Sequence, residues 1–464
     1  MPTLRAPLLF AVALLLVLPG LARADDSVAG KATPAARPVP PPPPPPPPPC
    51  AFAPVDLAIW TTIGLNSSVH PCARNLFGLG LGGTRAGELQ GLQLALGLSV
   101  VDRDAYGVQI AGGISVAGKQ AFVGQVSGLV SVIGENGRGL QVAGLVNATG
   151  GRLQGLQVAG LVNAAGVSMA GLQVGGLINA AGGDLHGIQV AGLINVAGED
   201  MVGLQAAGLI NAAGKNVRGL QAAGLVNAAG ELHGIQIAGG MNALGQGGGL
   251  QIAGGYNRAE HWLDGVQIAV VNIGCEVTGA QIGVVNIAGR VHGVQLGLVN
   301  VATRADVPIG LVSFMREGER AIEAWGGEAL PINAALRLGT PHVYSLLGFG
   351  SAFYRADEPI GPLAGVGVKG RVAARVELLV DVVAHELFFL GADNGQALLA
   401  QARARFAIDV LPRVAVTVGA TWNVFVSDDV DGTDLPLGLD RVRTSGSTTV
   451  RQWPGFNLGV ALGF

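Results

Sequence analysis

The chain has 464 residues, only 13% of them charged, and a formal net charge of −3. This balance excludes the strongly basic surface that nucleic-acid-binding proteins carry. Its 75 glycines do not recur at every third residue, which excludes a collagen-like triple helix. Beyond the first 24 residues, every apolar stretch long enough to form a membrane-spanning helix is interrupted by glycine or polar residues, so no such helix is predicted.

Residues 1–24 have the pattern of a secretory signal peptide. Arg5 precedes an apolar stretch from Leu8 to Leu18, and Ala22-Arg23-Ala24 is a small-x-small cleavage site before Asp25. The sequence therefore predicts export of the protein, with cleavage after Ala24.

Residues 25–77 form a proline-rich linker and lead-in. Pro40 to Pro49 are consecutive prolines, which adopt an extended polyproline II rod and cannot join a core. Export permits a disulfide between Cys50 and Cys72, but unpaired thiols there and at Cys275 fit the sequence equally well. The three cysteines show no metal-site spacing, so no metal or other cofactor is predicted.

Residues 78–308 repeat one short phrase, glycine-aliphatic-glutamine followed by an asparagine. Gly139-Leu140-Gln141 leads to Asn147, and ten further copies continue to Gly293-Val294-Gln295 and Asn300. The glutamine register extends back to Gln93 and gives about fourteen units of 14–16 residues, which indicates a repeat architecture. A surface that keeps repeating does not bring unlike residues together. We therefore predict no enzyme, no catalytic, cofactor-binding or metal site, and no small-molecule substrate.

Alternation and dense glycine favour β-structure, either as long antiparallel strands or as the coils of a β-solenoid. Asparagine lies six residues after its glutamine as far as Asn257, but only five after it from Gln267 and Asn272 onward. In one flat strand that deletion would move asparagine to the opposite face. A turn between the two residues removes the conflict, and identical units suit a parallel stack. The sequence predicts the solenoid.

Within each coil, we expect the aliphatic residues that flank glutamine to line the interior, and the amides to stack in ladders. The expected interior residues include Leu156, Val158, Leu172, Val174, Ile188 and Val190. His186, His233 and His292 share a site that elsewhere holds valine or arginine, which indicates an exposed turn rather than a metal site.

Residues 309–464 have a different pattern, with more aromatic residues and strict two-residue alternation. From Gly455 to Phe464 the large apolar residues fall on one face, and the segment resembles the terminal strand of bacterial outer-membrane barrels. Further strands are predicted to begin near Ile332, Val343, Pro362, Arg375, Leu398, Val414 and Leu439, about eight in total. An antiparallel barrel and a capping β-sandwich both fit. In the barrel, Glu377, Asp381, Arg403 and Arg405 would be interior charges.

The phrase Gly293-Val294-Gln295-Leu296-Gly297-Leu298-Val299-Asn300 resembles the bacterial surface-repeat proteins of the spirochaete type, as do Leu336 to Pro341 in the region after the repeats. The resemblance covers about residues 78–464 and implies a cell-envelope location, without catalytic residues to transfer. We expect a non-enzymatic protein of the outer membrane or cell surface, with a structural or adhesive role and an unknown surface ligand. The alternative is an outer-membrane pore in which the repeats and the tail close into one large barrel.

Overall fold

The computed structural model describes residues 51–65, 73–352, 359–389, 396–427, 441–445 and 448–464. These residues contain no helix and form a parallel β-solenoid of about fifteen turns and a closed eight-stranded antiparallel β-barrel. This confirms the predicted fold class and selects the barrel over the sandwich. The predicted signal peptide, the proline run, Cys50 and Cys72 lie outside the described residues. The chain divides into two compact units, residues 1–168 and 169–464.

The described part of the first unit contains parallel coils of two strands each, and in most coils the first strand is the longer. Equivalent residues lie opposite each other, so that Gln125, Gln141 and Gln157 are in register. Strands β1–β14 are Ala51–Trp60, Ile63–Gly64, Ala73–Gly80, Gly83–Ala86, Glu88–Ala95, Leu98–Val101, Val108–Ala111, Ile114–Ala117, Ala121–Ser127, Val130–Ile133, Gly137–Ala143, Val146–Thr149, Arg152–Ala159 and Val162–Ala165.

The second unit begins with the same kind of coil. From Val226 onward the short strand of one coil runs directly into the long strand of the next. Strands β15–β28 are Ser168–Gly175, Ile178–Ala181, Leu185–Ala191, Ile194–Ala197, Met201–Ala207, Ile210–Ala213, Asn216–Ala223, Val226–Ala238, Met241–Ala253, Tyr256–Ile268, Val271–Ile282, Val285–Leu296, Val299–Ile309 and Val312–Met315.

A turn separates glutamine from asparagine in every full coil, as the change of spacing predicted. β24 ends at Ile268 and β25 begins at Val271, between Gln267 and Asn272. Both amide side chains are fully buried despite the missing residue. Neighbouring coils run parallel, so the repeats do not form the antiparallel wall of one large barrel.

The prediction that the aliphatic neighbours of glutamine line the interior is wrong. Ile188 and Val190 are exposed, and Leu156, Val158, Leu172 and Val174 are partly exposed. Because side chains alternate along a strand, burying glutamine sends both of its neighbours outward. The interior instead contains the glutamine and asparagine rows, many alanines, and one larger apolar residue per coil such as Leu185, Met201, Val217 or Leu232.

Two amide ladders offset the desolvation of these buried polar groups. Gln205 Nε2 donates to Gln189 Oε1 of the preceding coil at 2.8 Å. Asn195 Nδ2 donates to Asn211 Oδ1 of the following coil at 3.0 Å and to the Ala206 carbonyl oxygen at 2.7 Å. A buried amide is tolerated when its donors and acceptors are used, and each copy supplies the partner for its neighbour.

The antiparallel sheet begins at Glu319, soon after the last parallel strand. Its strands β29–β37 are Glu319–Gly327, Ile332–Gly339, Val343–Ser351, Ile360–Ala373, Val376–Phe388, Gln396–Leu411, Val414–Ser427, Arg441–Ser445 and Thr448–Gly463. β29 pairs with β37 and closes the barrel, while β36 pairs only with β37 and lies outside the ring of eight. The sequence prediction missed β29 and counted the segment near Leu439 in its place.

Candidate functional site

An ion-pair cluster fills the middle of the barrel. Asp381 accepts a hydrogen bond from Arg403 Nε at 2.5 Å and from Arg405 Nη2 at 2.6 Å. Arg405 Nη1 also donates to Glu323 Oε2 at 3.1 Å, and Arg337 Nη1 donates to Glu323 Oε1 at 2.5 Å. Each charge therefore has an opposite charge within hydrogen-bond distance, which is the condition for burying ions in a protein interior.

Aromatic side chains close the space around these charges. The Tyr344 hydroxyl donates to Asp381 Oδ2 at 2.7 Å. The Arg403 guanidinium lies over the Trp325 ring, 4.4 Å from its centroid. A barrel of eight strands is just wide enough for side chains to fill it, so these residues form a plug across the barrel.

A second polar layer lies beside this cluster in the barrel interior. His385 Nε2 contacts Gln401 Oε1 at 3.3 Å, and Gln401 Nε2 donates to Asn423 Oδ1 at 2.8 Å. Asn423 Nδ2 then donates to Glu328 Oε1 at 2.6 Å. Leu330, Leu387, Leu399, Phe425 and Trp453 belong to an apolar cluster beyond it. The interior thus combines polar networks with apolar packing.

The outer wall of the barrel has the opposite polarity. Along β37, Phe456, Leu458, Val460 and Leu462 are exposed, and Asn457 and Ala461 between them are buried. The other strands follow the same alternation with exposed residues that include Ile322, Leu336, Phe349, Val366, Val368, Val380, Val382, Leu398, Phe406, Ile408, Val418 and Trp422. The barrel therefore has apolar side chains outside and its charges inside, the reverse of the arrangement in a water-soluble protein.

The connections at the two ends of the barrel differ in length. At the end where β29 begins, strands are joined by residues 340–342, 374–375 and 412–413. At the opposite end the connections between strands of the ring are residues 328–331, 352–359, 389–395 and 428–447, and the last of these contains β36. The chain therefore passes from the solenoid into the barrel at the end with the short turns.

The predicted interior charges occupy the expected places. Asp381, Arg403 and Arg405 are buried inside the barrel. Glu377 lies nearer the rim, where its carboxylate contacts Lys369 and Arg371. The sequence did not single out Glu323, Arg337 or Tyr344, although Glu323 alternates with outward Ile322 and Ala324 in the strand that was missed.

The repeat histidines do not come together as a site. His186, His233 and His292 are exposed at the corner of separate coils, and Cys275 is an exposed free thiol. Among the residues that the structure describes, no group of three or more His, Cys, Asp or Glu side chains could hold a metal ion. In the same residues no helix is long and apolar enough to cross a bilayer.

No family model, curated protein or solved structure matches this chain.

The last coils of the solenoid pack against the outside of the barrel. Ser345 lies on the outward face of β31 but is buried under the last coils of the solenoid. Its hydroxyl donates to the Gly310 carbonyl oxygen at 2.9 Å. Beside this contact is a shallow, open groove lined by glycine and aliphatic side chains, among them Val284, Leu298, Leu311 and barrel residue Val366. The groove has no charged side chain in its lining, so it offers nothing to orient a polar ligand.

Proposed function

We propose that the protein is a non-enzymatic outer-membrane protein whose barrel is the membrane anchor and whose solenoid is a structural extension of that anchor. The reversed polarity of the barrel carries the proposal. Leaving the outer wall of β29–β35 and β37 in water would expose a contiguous apolar surface far larger than soluble monomers show. A bilayer covers the part of that surface against which the solenoid does not pack, and closure of the barrel pairs the strand edges inside it.

The sequence supports the same location. The leader of residues 1–24 has the pattern of an export signal, and the alternation from Gly455 to Phe464 resembles an outer-membrane barrel strand. The resemblance of the repeats to bacterial surface-repeat proteins also points to the cell envelope.

The filled interior favours an anchor over a pore. The cluster of Glu323, Arg337, Asp381, Arg403 and Arg405 crosses the barrel at its middle. Because neighbouring repeats pair in parallel, they do not supply the antiparallel strands of one large barrel. The transport alternative would require an open lumen past this cluster, which is why the anchor is the proposal.

The barrel also supports one orientation of the solenoid. Outer-membrane barrels have short turns on the periplasmic side and longer loops outside the cell. Because the chain leaves the solenoid and begins the barrel at the end with the short turns, we place the solenoid on the periplasmic side. That placement favours the structural role over the adhesive one, which requires exposure to the cell exterior.

One pair of variants tests insertion of the barrel. Val418 faces outward between Phe406 and Leu458 of the neighbouring strands. Val202 is a comparably exposed valine on the solenoid, at the site that holds arginine in the next coil, Arg218. Val418→Arg should weaken insertion into phosphatidylcholine vesicles by up to roughly 2–4 kcal/mol, because arginine is costly on a lipid-facing wall. Val202→Arg should leave insertion unchanged.

Insertion is measured by diluting urea-unfolded full-length protein into vesicles and following tryptophan fluorescence, since Trp422 lies on the outer wall. Equal behaviour of the two variants, or a wild-type protein that stays soluble and folded without lipid, would contradict the proposed anchor.

A further inference from the structure

The outer surface of the solenoid in the second unit is divided sharply into an apolar and a charged part. The outward neighbours of each buried glutamine and asparagine are apolar in every coil from Leu172 to Val301, except Tyr256 and Arg258. Charged and histidine side chains gather at the remaining corner, here called the charged edge, which includes Asp184, His186, Glu199, Asp200, Lys215, Arg218, Glu231, His233, Glu276, Arg290, His292 and Arg304.

A row of large aliphatic residues follows the corner between the two apolar faces. This aliphatic ridge consists of Leu177, Leu193, Leu209, Leu225, Val270, Val284, Leu298 and Leu311, all exposed, with Gly240 and Gly255 interrupting it. Seven of these eight residues lie at the turn between a buried glutamine and the following asparagine, and Leu311 lies at the equivalent turn between Pro308 and Ser313. The repeat therefore places one in almost every coil. An exposed apolar row of this kind, here in two runs separated by Gly240 and Gly255, marks an interaction site.

The ridge leads directly to the barrel. Val270, Val284, Leu298 and Leu311 line the groove at the junction, and outward-facing Val366 of β32 closes its other side. The apolar part of the solenoid and the apolar wall of the barrel therefore meet without a polar boundary between them at this point. The barrel wall at Val366 is therefore continuous with the end of the ridge that Val270, Val284, Leu298 and Leu311 form.

We propose that the aliphatic ridge and its groove form a lipid-contacting surface, and that acyl chains of the bilayer around the barrel occupy the groove. This inference rests on the proposed membrane anchor. The ridge contacts the bilayer, while the charged edge faces water. Such a division is typical of elements that lie at a membrane surface, with an apolar face in the acyl region and charges outside it.

One coil supplies a matched pair of probe positions. Leu209 on the ridge is 37% exposed and Val202 on the charged edge is 39% exposed. Single cysteines at these sites, at Leu298 in the groove and at Val418 on the barrel wall are introduced after the three native cysteines are replaced by serine. Each variant of the full-length protein is labelled with an environment-sensitive fluorophore and reconstituted into phosphatidylcholine vesicles that contain brominated lipid.

We expect brominated lipid to quench the probes at Leu209→Cys, Leu298→Cys and Val418→Cys several times more strongly than the probe at Val202→Cys. Quenching at residue 418 with none at residues 209 and 298 would overturn the lipid-contacting surface and leave the membrane anchor standing. Absence of quenching at residue 418 would overturn both. Equal quenching at residues 202 and 209, or cross-linking of two chains through residue 209 without quenching, would also overturn the surface.

Discussion

Arg405 and Asp381 form an ion pair of 2.6 Å between neighbouring strands of the barrel, and neither side chain is exposed. The same carboxylate accepts hydrogen bonds from Arg403 and Tyr344. Breaking a buried ion pair by removing one partner is strongly destabilising, because the remaining charge is left in a medium that solvates it poorly. Asp381 therefore holds the interior of the barrel together.

Replacing Asp381 by asparagine should lower the free energy of unfolding by about 3–5 kcal/mol, because Arg403 loses its ion-pair partner and Arg405 keeps only Glu323. The control is Glu377→Gln at the rim, where partly exposed ion pairs contribute about 0–1 kcal/mol. Urea titration of the reconstituted protein measures both. Equal losses for the two variants would contradict a dry, filled interior.

The filled interior also predicts the electrical behaviour of the barrel. The wild-type protein should give no stepwise conductance in a planar lipid bilayer, because the ion-pair cluster and Trp325 close the barrel across its middle. The measurement is a current recording at both polarities after verified insertion. Regular open-channel steps would favour the pore alternative over the anchor.

Spacing and alternation predicted much of this fold because they are local properties of the sequence. The change from six to five residues between Gln267 and Asn272 predicts a turn, and the likeness of successive units predicts parallel coils; the structure has both. Alternation along the tail likewise separates outward Leu458 and Val460 from inward Asn457 and Ala461. β29 was missed although Ile322 and Glu323 alternate in the same manner, because it directly follows the last coil.

Local pattern could not decide which face of each coil is inside. Leu156, Gln157 and Val158 alternate, and the usual preference for apolar interiors selects the aliphatic residues. The structure buries the glutamine, because equivalent amides in adjacent coils bond to each other. That stabilisation depends on contacts between residues 14 to 16 positions apart. The pairing of Asp381 with Arg403 and Arg405 likewise joins residues 22 and 24 positions apart.

The amide ladder provides a third prediction. Replacing Gln205 by leucine removes the acceptor of Gln221 Nε2 and the donor to Gln189 Oε1. Gln189 Oε1 then has no partner, whereas Gln221 Nε2 keeps the Ala228 carbonyl oxygen at 3.4 Å. A buried polar group left without a partner costs about 1–3 kcal/mol, so the variant should lose at least this much stability. The control is Gln154→Leu, an exposed glutamine, which should change the unfolding free energy little. Urea titration of the full-length protein compares them. A tolerated Gln205→Leu would show that the ladder is dispensable.

The glycine of the repeat phrase provides a fourth prediction. Gly219 has a φ of +138°, and a Cβ there would lie 2.0 Å from the carbonyl oxygen of Gly203 in the preceding coil. Gly219→Ala should therefore destabilise the solenoid by more than the 1–3 kcal/mol of backbone strain alone. The control is Gly248→Ala, where φ is not positive and the nearest atom is 3.2 Å away. Thermal unfolding of the full-length protein, followed by circular dichroism, separates the two variants. Equal unfolding temperatures of the two variants would contradict the close approach of Gly219 to the Gly203 carbonyl oxygen.

Val123 occupies the position that holds Gly139 in the next coil, and it has a φ of 93°. A β-branched residue with positive φ is strained, because its side chain crowds the adjacent backbone. The valine side chain is 58% exposed, so its removal loses little packing. Val123→Gly should relieve about 1–3 kcal/mol of strain. Glycine's greater freedom in the unfolded chain offsets roughly 0.5–1 kcal/mol of this, which leaves a net increase in stability.

The matched control for this variant is Val123→Ala, which removes the branched side chain but keeps a Cβ at the same φ. If strain at the corner is the cause, Val123→Gly unfolds at a higher urea concentration than the wild-type protein and than Val123→Ala. A stabilisation by alanine equal to that by glycine would assign the effect to the branched side chain rather than to the backbone. A loss of stability in both variants would mean that the exposed valine makes a favourable contact at this corner.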